Sequence, residues 1–326
     1  MLRTYKKSMA CAMLLSLTLT GCGKSLDVNM TYSDTIEKEN LLSTSINSDI
    51  KEDFLSSDLC LVPIGKDKGD DSKITGASSL IFDVSDRKVI YADNIYERIY
   101  PASLTKLLTA LVVFQNANLD DVVTVSYNAS HITEAGAKLC GLQEGDKIVL
   151  GDLLTSLLVY SGNDAGIALA EHISGSEEEF AKLMNKTAKS IGAVDTHFVN
   201  AHGLHDENHY TTAYDLYLIF NELLNYDQFL EIIHHSSYTL NYIDKNSNDR
   251  QLIFPSTNKY LNGEVKSPEG TEVLGGKTGT TNAAGYCLEI LVKDNNGKEY
   301  IALVMKANGA DDLYRQLNEL ISKING

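Results

Sequence analysis

Cationic residues are scarce in this 326-residue sequence, with 28 Lys and Arg against 44 Asp and Glu, a net charge of −16. Such a surface repels phosphate backbones, which removes nucleic acid from the expected partners. Cysteine is sparse as well: Cys11, Cys22, Cys60, Cys140 and Cys287 are all there are. None forms a C-x-x-C pair, so a zinc knuckle and a thioredoxin-like motif are both excluded. Cys11 and Cys22 belong to an N-terminal segment treated below, and an odd three remain, too few for a disulfide framework. Cys140 and Cys287 read as buried apolar filler. No internal repeat is visible, and no second hydrophobic span follows the N-terminal segment. No H-E-x-x-H occurs, although His202, His205 and His209 cluster near Asp206 and Glu207. Neither a metal nor a cofactor is expected.

What is present begins with a targeting pattern. Arg3, Lys6 and Lys7 precede an uncharged, Leu- and Ala-rich stretch, Met9 to Gly21, too short to span a bilayer as a helix. It ends in Leu19-Thr20-Gly21-Cys22, small residues before a cysteine, which resembles the lipobox of bacterial lipoproteins. Residues 1–22 are therefore expected to be a lipoprotein signal peptide. Cys22 is the expected lipidation site, fixing the protein to the cell membrane outside the cytoplasm. Two or three acyl chains anchor firmly where one is marginal. Residues 23–72, rich in Ser, Asp, Glu, Lys and Asn, read as a polar tether. The remaining 73–326 form a body long enough to bury a core without staples.

Within that body, Ser79–Val84 and Lys88–Tyr91 are β-rich runs around Ser85-Asp86-Arg87, which predicts a hairpin. Near the far end, Gly285–Val292 and Glu299–Lys306 flank Asp294-Asn295-Asn296-Gly297, a second hairpin with a strong turn signal. The middle turns helical. Leu104, Leu107, Leu108, Leu111 and Val112 keep i, i+3, i+4 spacing after Pro101. Asp152–Tyr160, Asp164–His172 and a helix through Phe180, Met184 and Ile191, closed by Gly192, follow, and Asp312–Ile321 is a last amphipathic helix. Strands at both ends of a helical middle predict a sheet assembled from distant segments, with an inserted helical lobe.

Three short motifs carry chemistry. In Ser103-Leu104-Thr105-Lys106 a spacing of three at a helix start places hydroxyl and amine on one face, within reach of a shared proton. A serine is a weak nucleophile until a base takes that proton. The lysine has to be largely neutral to serve, which burial or neighbouring cations achieve. Ser161-Gly162-Asn163 lies on a turn between two apolar helices, so that its hydroxyl and amide can enter one cleft. Lys277-Thr278-Gly279-Thr280, after Gly275-Gly276, puts a cation and small hydroxyls on a strand edge, suited to a carboxylate, with glycines that let a peptide lie close. Each alone has a plainer reading: an N-cap serine beside a surface lysine, an N-capped helix–helix turn, an exposed strand with a charged edge.

Together and in this order they match the S-x-x-K, S-D-N and K-T-G set of penicillin-binding proteins and class A β-lactamases. The S-G-N variant resembles the low-molecular-mass D-alanyl-D-alanine carboxypeptidases, serine peptidase family S11. So do Pro101–Ala110, Ser161–Ala165, Phe180–Asn185, Thr196-His197-Phe198, His202-Gly203-Leu204, Tyr210–Ala213 and Ala284–Cys287. The similarity runs from about Ile74 onward. It implies an α/β fold of the α+β type, β-lactamase/DD-peptidase-like, with an antiparallel sheet flanked by helices. It implies catalytic roles for Ser103, Lys106 and Ser161 and substrate contacts for Asn163, Lys277, Thr278, Gly279 and Thr280. The backbone N–H groups of Ser103 and Thr280 would hold the oxyanion. Residue 280 is often bulkier in that family, which alters the leaving-group pocket but not a backbone donor. Some relatives carry a further C-terminal β-domain with a membrane-binding helix, a role the N-terminal lipid would fill here.

The implied activity is removal of the terminal D-alanine from peptidoglycan stem peptides ending in D-Ala-D-Ala, through a Ser103 acyl-enzyme open to β-lactams. Three alternatives use the same motifs: a β-lactamase, a DD-endopeptidase, and a non-catalytic β-lactam sensor. Class A β-lactamases add a glutamate for deacylation. The pattern for it is Glu-x-x-x-Asn, whereas Glu222-Leu-Leu-Asn225 has a different spacing and reads as ordinary helix.

Overall fold

The computed structural model describes residue 62 and residues 68–325. The segment 1–22 with Cys22, Cys60 and most of the 23–72 stretch lie outside the described residues.

Five strands make the main sheet: β1 (Ser78–Asp83), β2 (Lys88–Asp93), β7 (Thr271–Thr281), β8 (Gly285–Asp294) and β9 (Glu299–Ala307). Their order is β2-β1-β9-β8-β7, antiparallel throughout. Both expected hairpins form. Arg87 takes the left-handed turn position of the first at φ +53° and Gly297 that of the second at +83°. The strand joining the two ends of the body is β1, which pairs with β9 through Ser79 opposite Val304. Leu288 to Val292 are buried at every position, because helices cover both faces of the sheet.

Between β2 and β7 lies the helical lobe. Its helices are α1 (Thr105–Asn116), α2 (Tyr127–Ser130), α3 (Leu150–Val159), α4 (Asn163–Ser174), α5 (Glu177–Ser190), α6 (Ala213–Leu223) and α7 (Asp227–Ile233). Side-chain caps fix several starts. Ser176 accepts from Glu179 N–H at 3.2 Å with three glutamates in the first turn of α5, and Thr212 accepts from Asp215 N–H at 3.0 Å. Gly175 at φ +78° and Gly192 at +87° follow the ends of α4 and α5. A second, four-stranded sheet also belongs to the lobe: β3 (Val122–Thr124), β4 (Lys147–Val149), β5 (Ser237–Ile243) and β6 (Asp249–Pro255). Sequence periodicity did not predict it.

Two apolar layers hold the body together. One lies between the main sheet and α1, α3, α4 and α6, with Leu80, Leu107, Leu111 and Phe220 at its centre. The other lies under α8 (Ala310–Ser322), whose Leu313, Leu317, Leu320 and Ile321 pack on Ile290 and Val304 of the sheet. Each such side chain contributes roughly 1.5–3 kcal/mol on burial. Gln316 ties the chain's entry to α8 by accepting from both Thr75 N–H and Gly76 N–H at 2.7 Å. Among the described residues no helix is long and apolar enough to cross a membrane.

Candidate active site

Ser103 sits in a single 3₁₀ turn, Ala102–Leu104, that leads directly into α1. The turn is unusual: Ala102 has φ +49°, a left-handed conformation that a non-glycine residue adopts only when its surroundings enforce it. Those surroundings are identifiable. Thr105 Oγ1 donates to Ala102 O at 2.8 Å and meets His209 Nε2 at 2.7 Å, while His209 Nδ1 accepts from Val199 N–H at 3.2 Å. Burial holds His209 neutral by lowering its pKa to about 3, so its one ring proton faces the threonine. Gly203, at φ +86°, passes so close that a Cβ there would lie 1.9 Å from Ala102 O. Only glycine fits.

Lys106 follows one turn later and is 0% exposed. Its Nζ lies 2.9 Å from Ser103 Oγ, 2.8 Å from Asn163 Oδ1 and 2.5 Å from His202 O. Burial lowers its pKa to about 7, outweighing the opposing pull of Cys140 and Asp164. A neutral amine has two N–H donors and one lone pair. The amide oxygen and the carbonyl take both donors, which leaves the lone pair for the serine proton.

The second motif occupies the α3–α4 turn. Ser161 is buried with φ +74°, and Gly162 precedes the first helical residue, Asn163. Asn163 N–H donates to Lys138 O at 2.7 Å. Asp164 is buried behind it and accepts from Cys140 N–H (2.9 Å), Gly141 N–H (2.9 Å) and Leu142 N–H (3.2 Å), tying a 138–142 loop to the motif. His202 is fixed in parallel. Its Nδ1 accepts from Leu204 N–H at 3.1 Å and its Nε2 lies 3.1 Å from Glu177 Oε1. Burial raises the Glu177 pKa, but His202 and Ala201 N–H more than compensate and hold the carboxyl below its usual range.

The third motif runs along β7. Lys277 is 0% exposed, and its Nζ reaches Ser161 Oγ and Thr278 O, both at 3.0 Å. Burial, then Lys106 and Lys138, push its pKa well down. Gly279 lies against the nucleophile turn: a Cβ there would stand 3.0 Å from Pro101 O and 3.2 Å from Ser103 N. This close approach brings Thr280 to the rim beside Ser103. Thr278 Oγ1 donates to Thr257 Oγ1 at 2.6 Å.

The result is one cleft of about 310 Å³ with Ser103, Ser161, Asn163, Thr278 and Thr280 on its wall. Lys106 and Lys277 stand behind that wall. All eight residues expected from the body's motifs converge here, although Ser161 and Lys277 are 116 residues apart. The structure adds Lys138, Thr257, Lys259 and Tyr314, which also line the cleft. They arrive on loops and on α8 and belong to no short motif. The histidine cluster disperses: His202 meets Glu177, His209 meets Thr105, and His205 packs edge-on to Tyr100. Cys140 and Cys287 are buried free thiols, and Cys287 also borders the cleft.

An antiparallel sheet against a helical lobe, with this cleft between them, defines the β-lactamase-like fold of the DD-peptidases. Solved structures of this kind include the Streptomyces K15 DD-transpeptidase, with a TM-score of 0.71 and 26% identity, covering 77% of this chain and 97% of that one. Another is the D-alanyl-D-alanine carboxypeptidase DacD from Francisella tularensis, with a TM-score of 0.67 and 27% identity, covering 78% of this chain and 71% of that one. The pattern of the family described as D-alanyl-D-alanine carboxypeptidase matches residues 66–309, and the chain belongs to that family, serine peptidase family S11. Bacillus subtilis D-alanyl-D-alanine carboxypeptidase DacF is 34% identical over 75% of this chain, which spans 60% of that relative's length. The D-alanyl-D-alanine endopeptidase of Escherichia coli is 33% identical over 73% of each chain.

Proposed function

We propose that this protein is a serine-type D-alanyl-D-alanine carboxypeptidase that removes the terminal D-alanine of peptidoglycan stem peptides. The observation that carries the reading is the buried Lys106 amine, 2.9 Å from Ser103 Oγ, with both of its N–H groups engaged by Asn163 and His202. Ser103 Oγ attacks the carbonyl between the last two D-alanines as Lys106 takes its proton. The N–H groups of Ser103 and Thr280 receive the oxyanion; removing one donor of this kind typically slows turnover about 10²–10³-fold. Ser161, bonded to Lys277, delivers a proton to the departing D-alanine. Thr278, with Lys277 behind it, faces the terminal carboxylate. Water then releases the shortened peptide from Ser103, and a β-lactam would acylate the same hydroxyl.

The proposal extends to location. Cys22 carries the lipid, residues 23–72 lift the 73–326 domain off the membrane, and catalysis occurs outside the cytoplasm. The carboxypeptidase reading is preferred to the endopeptidase and transpeptidase named among the relatives because several relatives at 31–34% identity bear the carboxypeptidase name. The test is release of D-alanine from diacetyl-L-lysyl-D-alanyl-D-alanine by the full chain and by Ser103→Ala. Equal rates would remove Ser103 as nucleophile, and labelled benzylpenicillin should attach to Ser103 alone.

A further inference from the structure

The turn that carries Ser103 is gripped from one side by the stretch 200–204, through backbone atoms alone. His202 O accepts from Lys106 Nζ at 2.5 Å, and Gly203, at φ +86°, packs against Ala102 O. Any shift of this stretch moves the acceptor of the Lys106 amine and the support of the Ser103 turn together. Part of its bracing is local. Asn200 Oδ1 accepts from Gly203 N–H at 2.7 Å and from His202 N–H at 3.3 Å, and its Nδ2 donates to Leu204 O at 3.0 Å. From α1, Thr109 Oγ1 donates to Ala201 O at 2.7 Å.

The remaining brace comes from a different helix. Glu177, in the first turn of α5, accepts from Ala201 N–H through Oε1 at 3.1 Å, and the same oxygen lies 3.1 Å from His202 Nε2. His202 Nδ1 already accepts from Leu204 N–H, so the one proton of the neutral ring sits on Nε2 and is donated to Glu177. Ala201 and His202 are both buried, and without the carboxylate these two donors would be left unpaired. The α5 dipole favours acids in this turn, but it does not explain their directions. Glu178 and Glu179 pair with Lys182 at the surface, while Glu177 turns inward. It does not line the cleft; its outer side faces a separate hollow beside His197 and Lys182.

We propose that Glu177 is a positioning residue for the general base: by holding Ala201 N–H and the His202 ring, it sets the His202 carbonyl against the Lys106 amine. The role rests on the reading of Lys106 as the base that activates Ser103. Other charged or titratable groups face Lys106 as well: Lys277 from β7, Asp164 from α4, and Lys138 and Cys140 from the 138–142 loop. Among the described residues none of these hydrogen-bonds the 200–204 stretch. Loosening the stretch therefore leaves those groups in place and admits water to the amine.

The experiment follows the rate of Ser103 acylation by benzylpenicillin across pH in the full chain, for wild type, Glu177→Ala and Glu177→Gln, with a thermal melt of each. In Glu177→Ala the rate at pH 7 should fall about tenfold or more, toward the roughly 10²-fold that a misplacement of about 1 Å costs. Burial is what lowers the Lys106 pKa to about 7, so admitted water should move the midpoint of the profile upward, and higher pH should recover part of the loss. Glu177→Gln keeps an acceptor oxygen for both donors and should hold the wild-type rate and midpoint. Where Glu177→Ala does not fold, Glu177→Asp withdraws the acceptor while keeping the charge and takes its place in the comparison. An unchanged rate and midpoint in the folded fraction of the Ala or Asp variant overturns the proposal, even if that variant melts early. A Gln variant as slow as Ala overturns it too, because the acceptor is then not what matters. Ser103→Ala run in parallel separates the two readings: if it is still labelled, the catalytic proposal fails, whatever Glu177 does.

Discussion

Lys277 and Glu289 stand directly opposite each other in the β7–β8 ladder, both 0% exposed, and they do not pair. The lysine reaches away to Ser161, while neither oxygen of Glu289 has a hydrogen-bond partner. On the same face of the sheet its neighbours are apolar residues such as Leu291 and Leu303. Burial alone therefore drives the Glu289 pKa well up, and the group stays protonated in the fold.

The first prediction concerns that residue. A carboxyl whose folded pKa lies above its unfolded value gives its full contribution below the unfolded pKa, here about 4.5. The contribution is lost as pH rises through the folded pKa. Glu289→Leu, similar in volume and free of polar atoms, should raise stability by about 1–3 kcal/mol at neutral pH, with a smaller gain near pH 4. Denaturant melts at the two pH values check it, and a destabilised variant at pH 7 would show that the carboxyl does find a partner.

Lys106 should set the pH dependence of acylation. Its folded pKa, lowered to about 7 by burial, means that the neutral base accumulates as pH rises through 7. The second-order rate of Ser103 labelling by benzylpenicillin should climb with a midpoint near 7 and then level off. Lys106→Arg should abolish the climb, since a guanidinium cannot give up its proton in this range. The same shift predicts that Lys106 favours folding above its unfolded pKa of about 10.5, a contribution lost as pH falls toward 7.

Much of this was legible in the chain and some was not. The two hairpins of the main sheet could be found because turn residues such as Asp294 and Gly297 interrupt alternating runs. The motif residues could be found because Ser103 and Lys106 share a helix and the other two motifs keep fixed local spacing. The β5–β6 hairpin is only half legible: β5 alternates inward Tyr238, Leu240 and Tyr242 with exposed Ser237, Thr239 and Asn241, but β6 breaks the period with Arg250 on the inner side and an exposed Ile253 on the outer. Lys259 and Thr257 escaped for another reason: their place on the cleft depends on Thr278 and Tyr314, partners far along the chain that local sequence does not reveal.

Gly203→Ala tests how tightly the nucleophile turn is held. The added methyl would overlap Ala102 O and force a left-handed φ on a residue that resists it. Stability should fall by more than about 1 kcal/mol. Because the clash bears on the turn carrying Ser103, acylation should slow by about 10²-fold even in the folded fraction. Thermal melts together with penicillin labelling separate the two effects, and normal labelling of a destabilised variant would show that the strain relaxes away from Ser103.

Asp164 is the last test, and it concerns a residue that never touches substrate. Its carboxylate accepts three consecutive backbone N–H groups, from Cys140 to Leu142, and Lys138 in the same loop accepts Asn163 N–H in return. The loop and the S-G-N turn are thus held by a reciprocal set of bonds. In Asp164→Asn the amide keeps one acceptor and turns an NH₂ toward N–H groups that also need an acceptor. Breaking such a buried charged network should cost about 2–4 kcal/mol. If the network also fixes Asn163, kcat for D-alanine release should fall, because Asn163 Oδ1 holds the Lys106 amine, and a rise in KM beside it would report the substrate contact of the same side chain. A variant that melts early but keeps its kcat would assign Asp164 to stability alone and detach the 138–142 loop from the chemistry.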